Sequence, residues 1–596
     1  MKQLKKLLAL LLVLTCAVSS ATICLAAAPN RANLLGAFGD AYQLSAEMQV
    51  GGQTEKTDQY QNDAFHLEVS ETANGLTAYL TAKKDLTMKK LALNRQQTFE
   101  DGDRFFANGY QSWSTTQEYC KTDKTMPAIQ LARVTDLTWQ MATCNSDYKF
   151  ASYGEPGVFH SWTLTYFRKT GSQDITFYGS RSERNGFTMF EADMQNGRFT
   201  IAKDIDGLKL KAGQKYLVFD LFKETGNYEK VFDDYFFQFM NLQRPKVNRM
   251  TGYTSWYNLG QMITERTILR DLNGLDRAKD RVSIFQIDDG YESAVGDWTY
   301  PNPVKFPHGM KYLADQIHQK GYQAGLWLAP FEAQITSKVA RHHRDWLLRD
   351  ENGHPVLGNS GWGGAYALDI SNPEVKEYLR GIFRTVFDDW EFDMVKLDFL
   401  YAACMQPRDG KTRGQLMAEA CDFLREVCGN HIILGCGVPL GSAMGVFDAC
   451  RIGPDQDPTF TGSVVNKLNV TNEVPSARYG ITNSIFRRFF DGRAFANDTD
   501  VFYLRNGVDF TDEQKMLLAK INDMAGSVLF MSDNAGDYTD AQMAMLRQIY
   551  TPKDYSIQLA EMTDSDHFSI QFTENGTPKT LRFNIATGEG NIREVW

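Results

Sequence analysis

The sequence predicts a three-part chain: an N-terminal antiparallel β-sandwich, a central (β/α)8 barrel and a small C-terminal β-domain. The 596 residues are too many for one small domain, whereas a barrel can absorb roughly 250 of them as a single unit. From about 30 to 245, short apolar runs are broken by Gly, Asn and Asp, as in TANGLTAYLTAK and FTIAKDIDGLKLKAG, where strand residues flank a turn. After Thr251 the pattern changes to alternating strands and helices, which favours a parallel sheet.

The chain begins with Lys2, Lys5 and Lys6, then an apolar run from Leu7 to about Val18, then small residues through Ala26, Ala27 and Ala28. That order predicts a secretory signal over 1–26, because a cut after Ala28 would leave Pro29 beside it. Acylation at Cys16 is the weaker alternative, since Thr15 stands where Gly, Ala or Ser is usual. No other stretch offers about 18 continuous apolar residues, so a secreted or extracytoplasmic protein without a membrane span is expected.

The sandwich is expected over 30–245. Its one long helical pattern is 228–240, where Val231, Phe232, Tyr235, Phe236 and Phe239 share a face. Gln243-Arg244-Pro245 then reads as a linker. The barrel is expected over 250–549, with strands at 252–256, 282–287, 324–329, 394–397, 432–436, 449–452, 501–504 and 527–531. Amphipathic stretches such as 310–320, 374–390 and 413–427 separate them. A doubly wound open sheet is the rival, but it seldom needs eight units, and no GxGxxG follows the first strand. Alternating residues over 550–596, with turn signals at Asn575-Gly576 and Gly588-Glu589-Gly590, predict the C-terminal β-domain.

Composition narrows the partners. A hydrophobic content of 43% can fill sizeable cores, and a formal charge of −10 argues against nucleic acid or an anionic membrane surface. Cys16 and Cys24 leave with the signal, and the seven remaining cysteines are odd in number with no CxxC, so buried free thiols are expected rather than a disulfide framework. The nine His contain no HExxH, and neither a metal nor a cofactor is signalled.

In a barrel enzyme, chemistry sits where the strands end at the C-terminal rim. The second strand ends in Asp288-Asp289, two adjacent carboxylates that are costly to bury unless something occupies them; a solvated turn is the plain alternative. The fourth ends in Lys396-Leu397-Asp398, and alternation directs Lys396 and Asp398 to one side, where the ammonium would keep the carboxylate ionised, as a nucleophile or as half of a structural ion pair. The sixth ends in Arg451-Ile452-Gly453-Pro454-Asp455, a rigid turn that presents Asp455, with Asp457 a real competitor. Trp256, Trp298 and Trp327 gather at the same ends. Acids and rings together suit a sugar pocket, and two opposed carboxylates suit glycoside hydrolysis.

The motifs GYTSWYNLG, FQIDDGYESAVGDW, GLWLAPF, VKLDFLYA, ILGCGVPL and RIGPDQDP, with NGYQSWS upstream and NDTDVFYLR downstream, occur in order over about 100 to 540. In this the chain resembles glycoside hydrolase family 36. The resemblance implies an α-galactosidase with an N-terminal β-supersandwich, a catalytic TIM barrel and a C-terminal β-domain. It implies Asp398 as nucleophile and Asp455 as acid/base, with Asp288 and Asp289 accepting from the 4- and 6-hydroxyls of galactose. Lys396 and Arg451 would hold hydroxyls near the reacting carbon, Trp256 and Trp327 would line the pocket, Cys436 and Gly437 would sit by the 2-hydroxyl, and Trp113 would reach in from the sandwich. KLD stands where many members have KWD, and the C-terminal domain is short; neither removes a catalytic residue. The implied partner is a carbohydrate with a terminal α-galactosyl residue, and oligomers are compatible with it. An α-N-acetylgalactosaminidase is the nearest alternative, raffinose- or stachyose-forming transfer suits an exported chain less, and a catalytically silent sugar-binding protein is the alternative of another class.

Overall fold

The computed structural model describes residues 31–32, 42–72, 74–128, 135–460 and 475–596, so the expected leader lies outside the described residues. The N-terminal part is two stacked antiparallel sheets. Alternation builds them: in Tyr42–Val50 the residues at 42, 44, 46 and 48 are buried while most of those between them are more exposed. Leu44, Met48, Phe65, Leu80, Phe190 and Phe199 share the core between the sheets. The helix Tyr228–Asp233 continues as a π-helical stretch, Asp234–Phe239. It buries Val231, Phe232, Tyr235 and Phe236, and Phe232 stacks on Phe489 of the barrel at 4.3 Å. Phe239, expected on the same face, is only partly buried, packing beside Phe222 near the helix end.

The eight central strands close into a parallel barrel in chain order: β1 (Met250–Thr254), β2 (Ile284–Ile287), β3 (Gln323–Leu328), β4 (Met394–Leu397), β5 (Ile432–Gly435), β6 (Ala449–Arg451), β7 (Ala496–Phe502) and β8 (Val528–Met531). Pairing of Met250 with Val528 completes the ring. The strand residues are almost wholly buried, because helices cover the outside and side chains fill the inside. Most boundaries move by one or two residues from expectation, and two of the differences bear on the site. β1 ends at Thr254, and Trp256 instead starts a one-turn helix, Trp256–Leu259. β7 begins at Ala496 rather than 501, because Asn497, Asp498, Thr499 and Asp500 are buried polar residues with partners inside the barrel, which hydropathy alone hides.

Helices around the barrel begin at side-chain caps. Thr412 caps Arg413–Cys428 and Thr511 caps Asp512–Ala525, each in a reciprocal box with a glutamine, Gln415 or Gln514. After β3 the chain forms a small antiparallel sheet of Glu332–Gln334, Leu357–Asn359 and Ala365–Ala367, whose loop lies over the rim. The C-terminal part is a three-stranded meander, Tyr555–Met562, His567–Glu574 and Thr577–Asn584. Its second turn places Asn575 and Gly576 at φ 49° and 78°, the left-handed pair of a tight hairpin. All seven described cysteines are unpaired, and five of them are buried. No helix among the described residues is long and apolar enough to cross a membrane.

Candidate active site

A pocket of about 300 Å³ opens at the C-terminal rim of the barrel. Seven of the sequence-expected residues line it: Trp256, Asp288, Asp289, Trp327, Lys396, Asp398 and Asp455. Each stands at or just past a strand end, where the side chain leaves the packed interior.

Asp398 follows β4 and is buried. Trp327 Nε1, from β3, donates to its Oδ2 at 3.0 Å, and the Phe399 amide donates to Oδ1 at 2.9 Å. Phe399 adopts φ 55°, a left-handed turn that folds the amide back onto the carboxylate. Lys396 Nζ lies 3.8 Å from Asp398 and 3.0 Å from Asp288. Burial opposes the ammonium, but the two carboxylates outweigh it and raise the Lys396 pKa. Burial also raises the Asp398 carboxyl above its ordinary value; Lys396, the Trp327 hydrogen bond and the Cys436 thiol pull it back, and Asp455 pushes it up.

Asp288 Oδ2 accepts from Gln286 Nε2 at 2.8 Å and Thr254 Oγ1 at 3.3 Å as well as from Lys396. Asp289 accepts from Trp362 Nε1 at 2.8 Å and from Gln261 Nε2 at 3.0 Å. Burial, with Asp288 alongside, raises the Asp289 carboxyl, against hydrogen bonds from Glu292, Trp362 and Gln261.

Asp455 sits in the loop after β6 with its side chain 39% exposed, accepting from Tyr257 Oη and Arg451 Nη1, both at 2.8 Å, through Oδ1. Its competitor Asp457 is buried away from this wall, and its Oδ1 accepts from the Thr459 amide at 2.8 Å and hydroxyl at 2.6 Å. That pattern caps a turn.

The other four expected residues stand behind the wall. Arg451 holds Asp455 from below. Cys436 touches Asp398 and receives Trp113 Nε1 at 3.3 Å, so Trp113 supports the site through the thiol. Gly437, at φ 59°, leaves little room for a Cβ, which would sit 3.1 Å from both Phe399 Cα and the Trp113 ring. Ser112 and Val438 exchange hydrogen bonds at 3.1 and 3.2 Å, joining the NGYQSWS turn to the loop after β5.

Sequence reasoning missed Gln261, Asn359, Gly361, Trp362 and Phe399 as wall residues. Phe399 adjoins Asp398 and was within reach of a strand-end argument. Asn359, Gly361 and Trp362 come from the insert after β3, where no barrel-strand end or motif marks them. Trp362 is held at φ 55°, a conformation tolerated because its indole bonds Asp289 and packs against Trp327 and Phe399. Among the described residues no group of three or more His, Cys, Asp and Glu is arranged to hold a metal ion.

Comparison with known proteins matches residues 256–415 to the melibiase family. The chain carries a melibiase-family domain. The likeness to family 36 read from the motifs is therefore borne out by an independent match on the barrel. Alpha-galactosidase 2 of Pediococcus pentosaceus is 24% identical over 176 residues, which is 28% of this chain and 23% of that protein. The A type blood alpha-D-galactosamine galactosaminidase of Flavonifractor plautii is 31% identical over 137 residues, 21% of this chain and 12% of that protein. These matches span less than a quarter of either relative's length. Among solved structures, the alpha-galactosidase of Thermus thermophilus in complex with p-nitrophenyl alpha-D-galactopyranoside superposes with a TM-score of 0.67 at 23% identity. It covers 90% of this chain and 98% of the other, so the two share their fold over nearly their whole length.

Proposed function

We propose that this protein is an exo-acting α-galactosidase that releases terminal α-linked galactose with retention of configuration. The observation that carries the reading is the pairing at one small pocket of a buried, cation-supported carboxylate, Asp398, with a second, accessible carboxylate, Asp455. A pocket of about 300 Å³ is at the small end for ligand sites, suited to one sugar ring rather than a run of them.

In this reading the ring stacks against indole walls while its hydroxyls meet Asp288 and Asp289. Asp398 attacks carbon 1, its lone pairs directed by Trp327 Nε1 and the Phe399 amide. Asp455 gives its proton to the departing oxygen and later takes one from the water that frees the sugar. Lys396 favours the ionised form of Asp398 against burial, and its charge also orders Asp288, so nucleophile and hydroxyl acceptor share one cation.

The blood-group relative acts on an α-galactosamine, and that favours examining a second reading in which the 2-position carries nitrogen. Cys436, backed by Trp113 and by the crowded Gly437, supports a 2-hydroxyl over a bulky N-acetyl group. Side-by-side release of nitrophenol from the α-galactoside, α-galactosaminide and α-N-acetylgalactosaminide tests this. Galactoside should be preferred by a wide margin; preference for either amino sugar would reassign the substrate. The leader supports export, to be checked by N-terminal sequencing of the mature protein, which should begin at Ala27.

A further inference from the structure

The Asn497-Asp498-Thr499-Asp500 segment of β7 takes no direct part in the chemistry above, yet its backbone is unusual. Asp500 is buried at φ 72° in mid-strand, where the pairing register with β8 slips between Asp498 and Val501. Side chains rarely adopt that conformation, and it persists only where the surroundings impose it. The distortion turns Asp500 towards β6. Its Oδ1 lies 2.8 Å from Arg451 Nη2, and its Oδ2 accepts from the amide of Gln456, next to Asp455, at 2.7 Å. Arg451 also pairs with Asp498 at 3.0 Å and Asp455 at 2.8 Å. One buried guanidinium thus serves three carboxylates.

We propose that Asp500 is the positioning residue of the acid/base, competing with Asp455 for Arg451 while holding the turn that carries it. The inference rests on Asp455 being the acid/base. An arginine paired with Asp455 alone would hold it ionised and spoil it as an acid. With Asp498 and Asp500 already on the guanidinium, three carboxylates share one cation, and Asp455 does not have it to itself. Burial raises the Asp500 carboxyl to about 7, with Asp455 and Asp498 pushing up against Arg451. The Tyr257 and Tyr503 hydroxyls facing the cluster are raised by burial and stay neutral; Asp398 from β4 and Cys436 from β5 face Asp455 from the other side.

Asp500→Asn tests this, because asparagine tolerates left-handed backbone and keeps an acceptor for the Gln456 amide. Removing the charge frees Arg451 for Asp455 and favours its ionised form. On a galactoside with a poor leaving group, the alkaline limb of kcat/KM should move down by about one pH unit. The acid limb, set by Asp398, should stay, and in an Asp455→Ala background the extra change should shift nothing. A uniform loss at every pH, or an alkaline limb that stays or moves up, overturns the proposal. Asp500→Ser gives the same readout should the asparagine variant melt early. If Asp455→Ala itself shows no dependence on leaving group, the acid/base assignment falls first, and that result is separate from the position of the limb in Asp500→Asn.

Discussion

The rims after β4 and β6 each present one carboxylate to the pocket, and they hold it in opposite ways. Asp398 is buried and clamped on both oxygens by an indole and a backbone amide, with Lys396 alongside. Asp455 is partly open to solvent and is held through a single oxygen by Tyr257 and Arg451. A nucleophile gains from fixed geometry and exclusion of water, since misplacement costs rate steeply. A proton donor that must also recharge needs a route to water and one oxygen left free for the leaving group. The contrast therefore fits the different roles proposed for two chemically identical side chains.

The hardest test of that contrast is removal of the clamped carboxylate. Asp398→Gly should lower turnover by about 10⁴-fold or more on every galactoside. Added azide should yield β-galactosyl azide, since the anion enters from the vacated face. Recovery of the α-azide, or activity within tenfold of the parent, would exchange the two roles.

Asp455→Ala should behave differently, losing about 10²- to 10⁴-fold on natural oligosaccharides but much less on an activated aryl galactoside. Azide should rescue its second step and give α-galactosyl azide, which product analysis by NMR identifies. Equal losses on both substrates would remove the acid/base role.

The clamp itself can be loosened. Trp327→Phe removes a hydrogen bond that pulls the Asp398 carboxyl down, so its pKa rises further. In the proposed role Asp398 acts ionised, so activity should be lost as pH falls through that pKa, and the acid limb of the rate profile should move to higher pH. An unmoved acid limb would mean that the indole only shapes the wall.

The smallest effect is expected at Asp457. Its side chain serves Thr459, so Asp457→Ala should cost a modest fraction of stability, about 1 kcal/mol for the lost hydrogen bonds, and change turnover less than a few-fold. Leaving-group dependence here, absent at Asp455, would shift the acid/base by two residues.

Much of this was legible before any coordinates. The eight barrel strands, the hairpin at Asn575-Gly576 and the amphipathic helices follow from turn signals and local patterns of period 2 and period 3.6, which each short segment carries. Seven of the pocket residues stand at strand ends, where topology alone sends chemistry in a barrel. The start of β7 was illegible for the opposite reason. Asn497, Asp498 and Asp500 look like a loop until Arg451 and the backbone around them supply partners that make burial tolerable.

By itself, then, the sequence determined where strands and helices lie, which strand ends carry acids, and that Asp288, Asp289, Lys396 and Asp398 project to one rim. Only the tertiary structure put Asp455 in the pocket wall and turned Asp457 onto Thr459, brought Trp362 and Asn359 over the pocket, and placed Trp113 behind Cys436 rather than in the wall. The physical reason is range. Periodicity and turn chemistry act within a few residues, whereas these assignments depend on contacts between residues up to 323 apart in the chain, such as Trp113 with Cys436, whose distances are set only once the barrel has closed.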